Sequence, residues 1–350
     1  VESSATSRYV WRLMPSSPPP SLWKRFRYRL EELGCLSLAW IIPRLSRKVC
    51  VALGNSLGSL AFRLDRRGRA VALGNLECVF GERFDEAQRA EIARQSYRNF
   101  ARTMLDLFWA ARLDATTWSQ WMQPTGFDSV REQLAREQRG AVFLCVHQGN
   151  WEWASLVCGY LGFGNVVVAE NFKNPRLTEI FRTRRQHSGQ TLIPQENSLL
   201  RMLKVVKRGG ASGMLLDLNL RPDQAATVLD TYRRHGGDGL EMCVPILHAV
   251  LAARAGALLV PVETQPQPDG VCRITAHRPV EIAVGDSLKE IAQKCWDAFE
   301  PIIQARPEGY LWAYKHFRYR PRETKRVYPA YANESGKFEK LRRQTTAAPR

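Results

Sequence analysis

The sequence predicts an α/β fold: a mostly parallel central sheet flanked by helices, with an N-terminal membrane-associated helical segment. Three observations predict it. From residue 140 onward, short β-rich runs alternate with segments of helical periodicity. His147 and Asp217 each stand at the end of such a run, where open α/β sheets hold their ligands. Residues 22–70 interleave arginines with aromatic and apolar residues, the pattern of helices lying in a membrane interface.

The chain divides accordingly. Residues 1–21, rich in Ser and Pro, read as a disordered arm, with Met14 a candidate start before the Pro run. Residues 22–70 form the membrane-associated segment, 71–322 the main domain, and 323–350 a loose basic tail. In the helix that follows Phe84, Asp85 is the expected N-cap, with Gln88 placed to return a bond. Ala93, Tyr97, Phe100, Met104, Leu105 and Phe108 recur at helical spacing on it and are assigned to the core. The expected strands are Ala141–Val146, Val166–Ala169, Thr191–Ile193, Ser212–Leu216 and Leu258–Val262. The expected helices between and after them are Trp151–Leu161, Arg176–Gln186, Ser198–Lys207, Cys243–Ala255 and Leu288–Gln304.

At 350 residues, 45% hydrophobic and 24% charged, the chain can bury a large core. A formal net charge of +17 calls for an anionic partner: anionic lipid, a phosphorylated or acidic substrate, or nucleic acid. No nucleic-acid-binding motif accompanies the charge, so a membrane surface is preferred. No apolar stretch reaches the roughly 18–20 residues of a membrane span, and no secretory-signal pattern is seen. The eight cysteines form no CxxC pair and read as reduced and buried. No clustered ligands suggest a metal, and neither GxGxxG nor a P-loop is present, so no cofactor is expected.

The chemistry concentrates in His147-Gln148-Gly149-Asn150-Trp151-Glu152, at a strand-to-helix junction. An imidazole and a carboxylate five positions on can meet at the mouth of a sheet and deprotonate a hydroxyl. Glu152 is the expected partner of the second ring nitrogen. Gly149 gives a tight turn and close approach of substrate, with Asn150 beside it as a further substrate contact. Amides opening the next helix are candidate oxyanion donors. Arg182, Arg184 and Arg185 form a basic cluster suited to phosphate, or else a solvated helix face. Asp217 reads as a site residue or a helix cap.

The full string resembles the signature of the bacterial lipid A biosynthesis (late) acyltransferases, the lauroyl and myristoyl transferases, within the His-x4-Asp/Glu glycerolipid acyltransferase superfamily. Other segments are similar to family blocks: Asn75 to Glu82, with Gly81 where Pro is usual; Arg94 to Phe100; Asn174 to Gly189; Ser212 to Asp217; Ala255 to Val262; and Tyr310 to Arg318. The resemblance covers about residues 30–322. It implies His147 as base, Glu152 as its partner, Arg185 on a substrate phosphate and Asp217 in support. Two departures stand out. Asn219 replaces a second acid, and the glycine-rich segment between Arg221 and Pro245 is unrecognisable, which leaves the acceptor open.

The resemblance implies an acyltransferase moving a fatty acyl group from an acyl carrier protein or coenzyme A thioester to a hydroxyl of a lipid A precursor or related glycolipid. It would work on the cytoplasmic face of the inner membrane, held peripherally or by one N-terminal anchor. No GxSxG elbow is present, so direct attack by the acceptor is preferred to an acyl-enzyme. Two alternatives remain: an acyltransferase for a phosphatidylinositol mannoside or other glycolipid, and a non-catalytic basic protein binding membrane or nucleic acid.

Overall fold

The computed structural model describes residues 21–346 except 82, 165, 169–171, 194–197 and 234–238. The arm at 1–20, Glu82 of the first family-like block and Ala169 of the second expected strand therefore lie outside the described residues.

Four helices come first: α1 (Leu22–Ile41), α2 (Arg47–Leu64), α3 (Arg66–Phe80) and α4 (Glu86–Trp109). Asp85 and Gln88 form the expected capping box on α4. α2 and α4 pack closely because Gly54 and Gly58 carry no Cβ. A Cβ on Gly58 would strike the backbone of Tyr97 and Arg98. α1 leaves no residue buried. It leans on the start of α7 (Pro175–Gln186), where Arg176 pairs with Glu32 at 2.7 Å and Asn174 donates to the Tyr28 carbonyl. Leu22, Trp23, Phe26, Leu30, Leu33 and Trp40 are exposed along it, and Leu57, Leu60 and Leu64 along α2. Among the described residues no helix is long and apolar enough to cross a membrane.

The alternating region then builds the sheet. Its strands are β1 (Met122–Thr125), β2 (Ala141–Cys145), β3 (Val166–Val168), β4 (Thr191–Ile193), β5 (Ala211–Leu215), β8 (Leu258–Pro266) and β9 (Cys272–Ala276). Their order is β1-β9-β8-β2-β5-β3-β4. Every pairing is parallel except β8 with β9. Helices α5 (Phe127–Glu137), α6 (Trp151–Tyr160), α7, α8 (Ser198–Lys207), α9 (Leu247–Ala255) and α10 (Leu288–Ala305) connect and cover it. The fold is thus α/β with a mostly parallel seven-stranded sheet between helices. Along β2 the side chains alternate: Val142 and Leu144 enter one core with Trp296, Phe299 and Trp312, and Ala141 and Phe143 enter the other with Trp109 and Trp153.

Two expectations are corrected. The helix expected over Cys243–Ala255 starts only at Leu247. Leu240–Pro245 is a strand, β7, paired antiparallel with β6 (Ala226–Thr231), because its alternating apolar residues fill a separate hairpin that Pro245 ends. The tail expected to be loose forms α11 (Gly336–Thr346). Its Phe338 is fully buried against Ala226, Val228 and Cys243, so one aromatic anchors a basic segment.

Candidate active site

β2 and β5 are parallel neighbours with Cys145 opposite Leu215. Two residues further on, the same register sets His147 opposite Asp217 at the carboxyl edge of the sheet. Asp217 Oδ1 lies 2.8 Å from His147 Nδ1, and Oδ2 accepts the His147 backbone N–H at 2.9 Å. The carboxylate thus fixes both the ring and the backbone that carries it. Asp217 is fully buried, and burial alone would raise its pKa. The His147 charge and hydrogen bonds, with His316 further off, outweigh that and hold it below the ordinary value. His147 Nε2 has no hydrogen-bond partner among the described residues. The ring is 11% exposed and faces Trp151 at 5.0 Å between centroids.

Glu152 does not partner His147. The turn into α6 points it at α7, where Arg185 holds it by two bonds: Nη2 to Oε1 at 2.6 Å and Nε to Oε2 at 2.9 Å. The His147 partner expected at Glu152 is therefore Asp217, because strand register, not the five-residue spacing, decides which carboxylate reaches Nδ1. Asp217, expected among the substrate contacts, is fully buried behind the ring. Of the arginine cluster, Arg185 reaches this region. Arg182 is held on the helix surface by Glu179, three residues before it, at 2.8 Å. Cys145, beside the loop, keeps its thiol, its pKa pushed up by burial and by Asp217.

The loop between β2 and α6 is held from every side. Gly149 has φ +60°, and a Cβ there would collide with the carbonyl and hydroxyl oxygens of Thr264. Its N–H donates to the Gly309 carbonyl, and its own carbonyl accepts from Asn99 Nδ2 at 2.8 Å and Thr103 Oγ1 at 2.9 Å. Leu311 N–H donates to the His147 carbonyl, and His316 stacks on Tyr310 behind Asp217. The blocks at 94–100 and 310–318 are therefore the walls of this loop. Asn219, in place of a second acid, donates to the His316 carbonyl at 2.9 Å.

Asn150 also departs from expectation. It is enclosed: its N–H donates to Thr264 Oγ1, its Oδ1 accepts from Trp153 N–H and caps α6, and its Nδ2 donates to Asp106 Oδ2 at 2.8 Å. Its side chain is buried, with both ends of the amide engaged inside the protein. Asp106 in turn takes both arms of the Arg47 guanidinium. Arg47 lies between the Trp109 and Trp153 rings, 4.9 and 4.8 Å from their centroids, and donates to the Gly270 carbonyl at 2.8 Å. Neither residue stood out in the sequence. The available signal was an acid inside the apolar run Leu105-Asp106-Leu107-Phe108-Trp109. The amides of Trp151 and Glu152 precede the first intrahelical bond of α6 and have no acceptor among the described residues.

The sequence profile of the bacterial lipid A biosynthesis acyltransferases matches residues 25–319. The chain belongs to this family. It is also 25% identical over 311 residues, 84% of this chain and 93% of the relative, to a lipid A biosynthesis lauroyltransferase of Escherichia coli (strain K12). This lipid A biosynthesis acyltransferase is therefore an enzyme that uses an acyl donor and a lipid A-like glycolipid acceptor. Among its described residues no group of three or more His, Cys, Asp or Glu side chains forms a metal site.

Proposed function

We propose that the chain transfers a fatty acyl group from an acyl carrier protein or coenzyme A thioester to a hydroxyl of a lipid A precursor or related glycolipid, with His147 as general base. The carrying observation is the His147–Asp217 pair at 2.8 Å with Nε2 left unpartnered. Nε2 takes the acceptor hydroxyl proton as the oxygen attacks the thioester carbonyl. The charge on the tetrahedral oxygen is met by the first-turn amides of α6, whose dipole favours an anion. Collapse breaks the C–S bond, and the thiolate takes the proton back from the imidazolium. Asp217 holds the tautomer and stabilises the imidazolium. Direct attack needs no acyl-enzyme, in keeping with a Cys145 thiol held protonated. Arg185, fixed by Glu152, supplies a cation beside the reacting groups for a substrate phosphate.

The enzyme works at the cytoplasmic face of the inner membrane. The exposed apolar residues of α1 and α2, with Lys24, Arg25, Arg27 and Arg29 among them, suit an anionic interface. Co-sedimentation with anionic vesicles tests this. Replacing Trp23, Phe26 and Leu30 by Ser is expected to abolish it, and unchanged sedimentation would exclude α1 as the contact.

The deciding experiment is acyl transfer by purified His147→Ala, offered acyl-carrier-protein and coenzyme A thioesters of several chain lengths. Undiminished transfer would remove His147 from the mechanism. Lipid analysis of a deletion strain identifies the acceptor. Loss of one secondary acyl chain from lipid A is expected, and an unchanged profile would move the acceptor to another glycolipid.

A further inference from the structure

A second recess, about 190 Å³, opens beside Gly149 on the β8 side of the loop. That is room for about six waters. Arg98 and Arg102 of α4 and Arg306 after α10 line it, with Gln148 and Gly149. Close packing of α2 presses α4 into it, for Gly54 and Gly58 lie against Arg102 and Arg98.

The charges in this recess are unbalanced. Arg306 has an acid, Glu263, and Glu308 lies at the rim. Arg98 donates Nε to Ser59 Oγ at 2.6 Å and, though its charge acts on Glu91, forms no ion pair among the described residues. Arg102 donates Nη2 to the Gln267 carbonyl at 3.1 Å, and its Nε is buried with no partner among the described residues. The acid nearest along the helix, Asp106, is already held by Arg47 and Asn150. Two guanidinium groups four residues apart on one helix, one of them largely desolvated, make a place that favours an anion. Gln148 forms a fixed wall of the recess, for its Nε2 donates to the carbonyls of Ile302 and Arg306. Planar guanidinium groups match phosphate oxygens, and Arg98 and Arg102 are the two in this lining that no acid pairs among the described residues.

We propose that this recess binds a phosphate ester carried by one of the two substrates. The proposal rests on the acyl-transfer reading for the identity of the carrier, but not for phosphate binding itself. The site is separate from Arg185, which pairs with Glu152 between α6 and α7 and does not line the recess. The recess is lined by Gln148 and Gly149, the two residues that follow His147 in the chain.

The test has two arms. In the first, thermal unfolding is followed in inorganic phosphate against chloride at equal ionic strength. The full chain and His147→Ala are expected to be stabilised by phosphate, and Arg102→Gln and Arg98→Gln are not. Equal stabilisation of all four, or of none, overturns the site. In the second arm, KM is measured with donor and acceptor varied separately. Each arginine variant is expected to raise the KM of one substrate at least tenfold while kcat stays within about twofold. A rise for the thioester assigns the phosphate to the donor, and a rise for the glycolipid assigns it to the acceptor. Unchanged KM for both in folded variants overturns the proposal. Absence of transfer by the wild-type chain would count against the acyl-transfer reading, leaving the first arm to decide the recess. Arg98, bound less tightly into the core, keeps the test available if Arg102→Gln does not fold.

Discussion

Replacing Asp217 by Asn changes one atom and is expected to disable His147. The wild-type carboxylate accepts two bonds, from the His147 backbone N–H on Oδ2 and from ring Nδ1 on Oδ1. The backbone donor cannot change, so the single oxygen of Asn must turn toward it. The Asn NH2 then faces Nδ1, which is left to accept. The ring proton moves to Nε2, and the nitrogen that should take the acceptor's proton already carries one. Holding the working tautomer instead would set N–H against N–H in a fully buried place, at about 1–3 kcal/mol. Losing the carboxylate's hold on the imidazolium adds about 2–4 kcal/mol more. Together these are roughly two to five powers of ten in kcat, and the same change in Ser-His-Asp hydrolases costs about 10⁴. The assay is single-turnover acyl transfer by purified protein, with circular dichroism to verify the fold. A kcat within tenfold of wild type would refute the assignment of Asp217 to the ring.

Three further outcomes are expected. Glu152→Gln breaks the charge-paired clamp on Arg185 and should lower kcat/KM by at least about tenfold; normal kinetics would remove the pair from the site. Arg47→Met leaves Asp106 buried with Asn150 alone and should destabilise the fold by about 3–5 kcal/mol, whereas a loss under about 1 kcal/mol in urea unfolding would refute the network. His248 of α9 is fully buried with neither ring nitrogen partnered among the described residues, and burial pulls its pKa from 6.5 to about 4. Its folded pKa lies below the unfolded one, so the unfolded chain binds the proton first as pH falls from 6.5 to 4. Stability is lost across that window, by about 3 kcal/mol at most. His248→Leu should flatten this acid loss in denaturation at pH 7 and pH 4.5, and an equal loss in both proteins would exclude His248 as the cause.

What could be read from the sequence was local. Asp85 and Gln88 cap α4 as their spacing requires, and β2, α6, α7, α8 and α10 follow from periodicity within single segments. The strands not foreseen are those whose pattern depends on neighbours. β1 is four residues with a Pro, tolerated because it is an edge strand. β7 runs on in apolar character toward α9, with only Pro245 between. The site followed the same rule. His147 and its place at a strand end were legible, but its carboxylate was not. Seventy residues separate His147 from Asp217, and only the adjacency of β2 and β5 brings them together. Asn150 read as a substrate contact because its partner, Asp106, is in another helix.

That partner ties the reacting loop to the segment facing away from the core. Arg47 opens α2, whose outer face carries exposed leucines, and reaches inward between two tryptophans to Asp106. Asp106 holds Asn150, Asn150 caps α6, and α6 presents the amides assigned to the oxyanion. A shift of α2 therefore cannot leave the α6 terminus unchanged without breaking a buried ion pair, at a cost of several kcal/mol. With the base proposed at His147 and the oxyanion donors proposed at the first amides of α6, Asp217 holds the one from the sheet and Arg47 the other from the helical layer, so the two proposed halves of the chemistry are positioned independently and meet at His147 and Trp151.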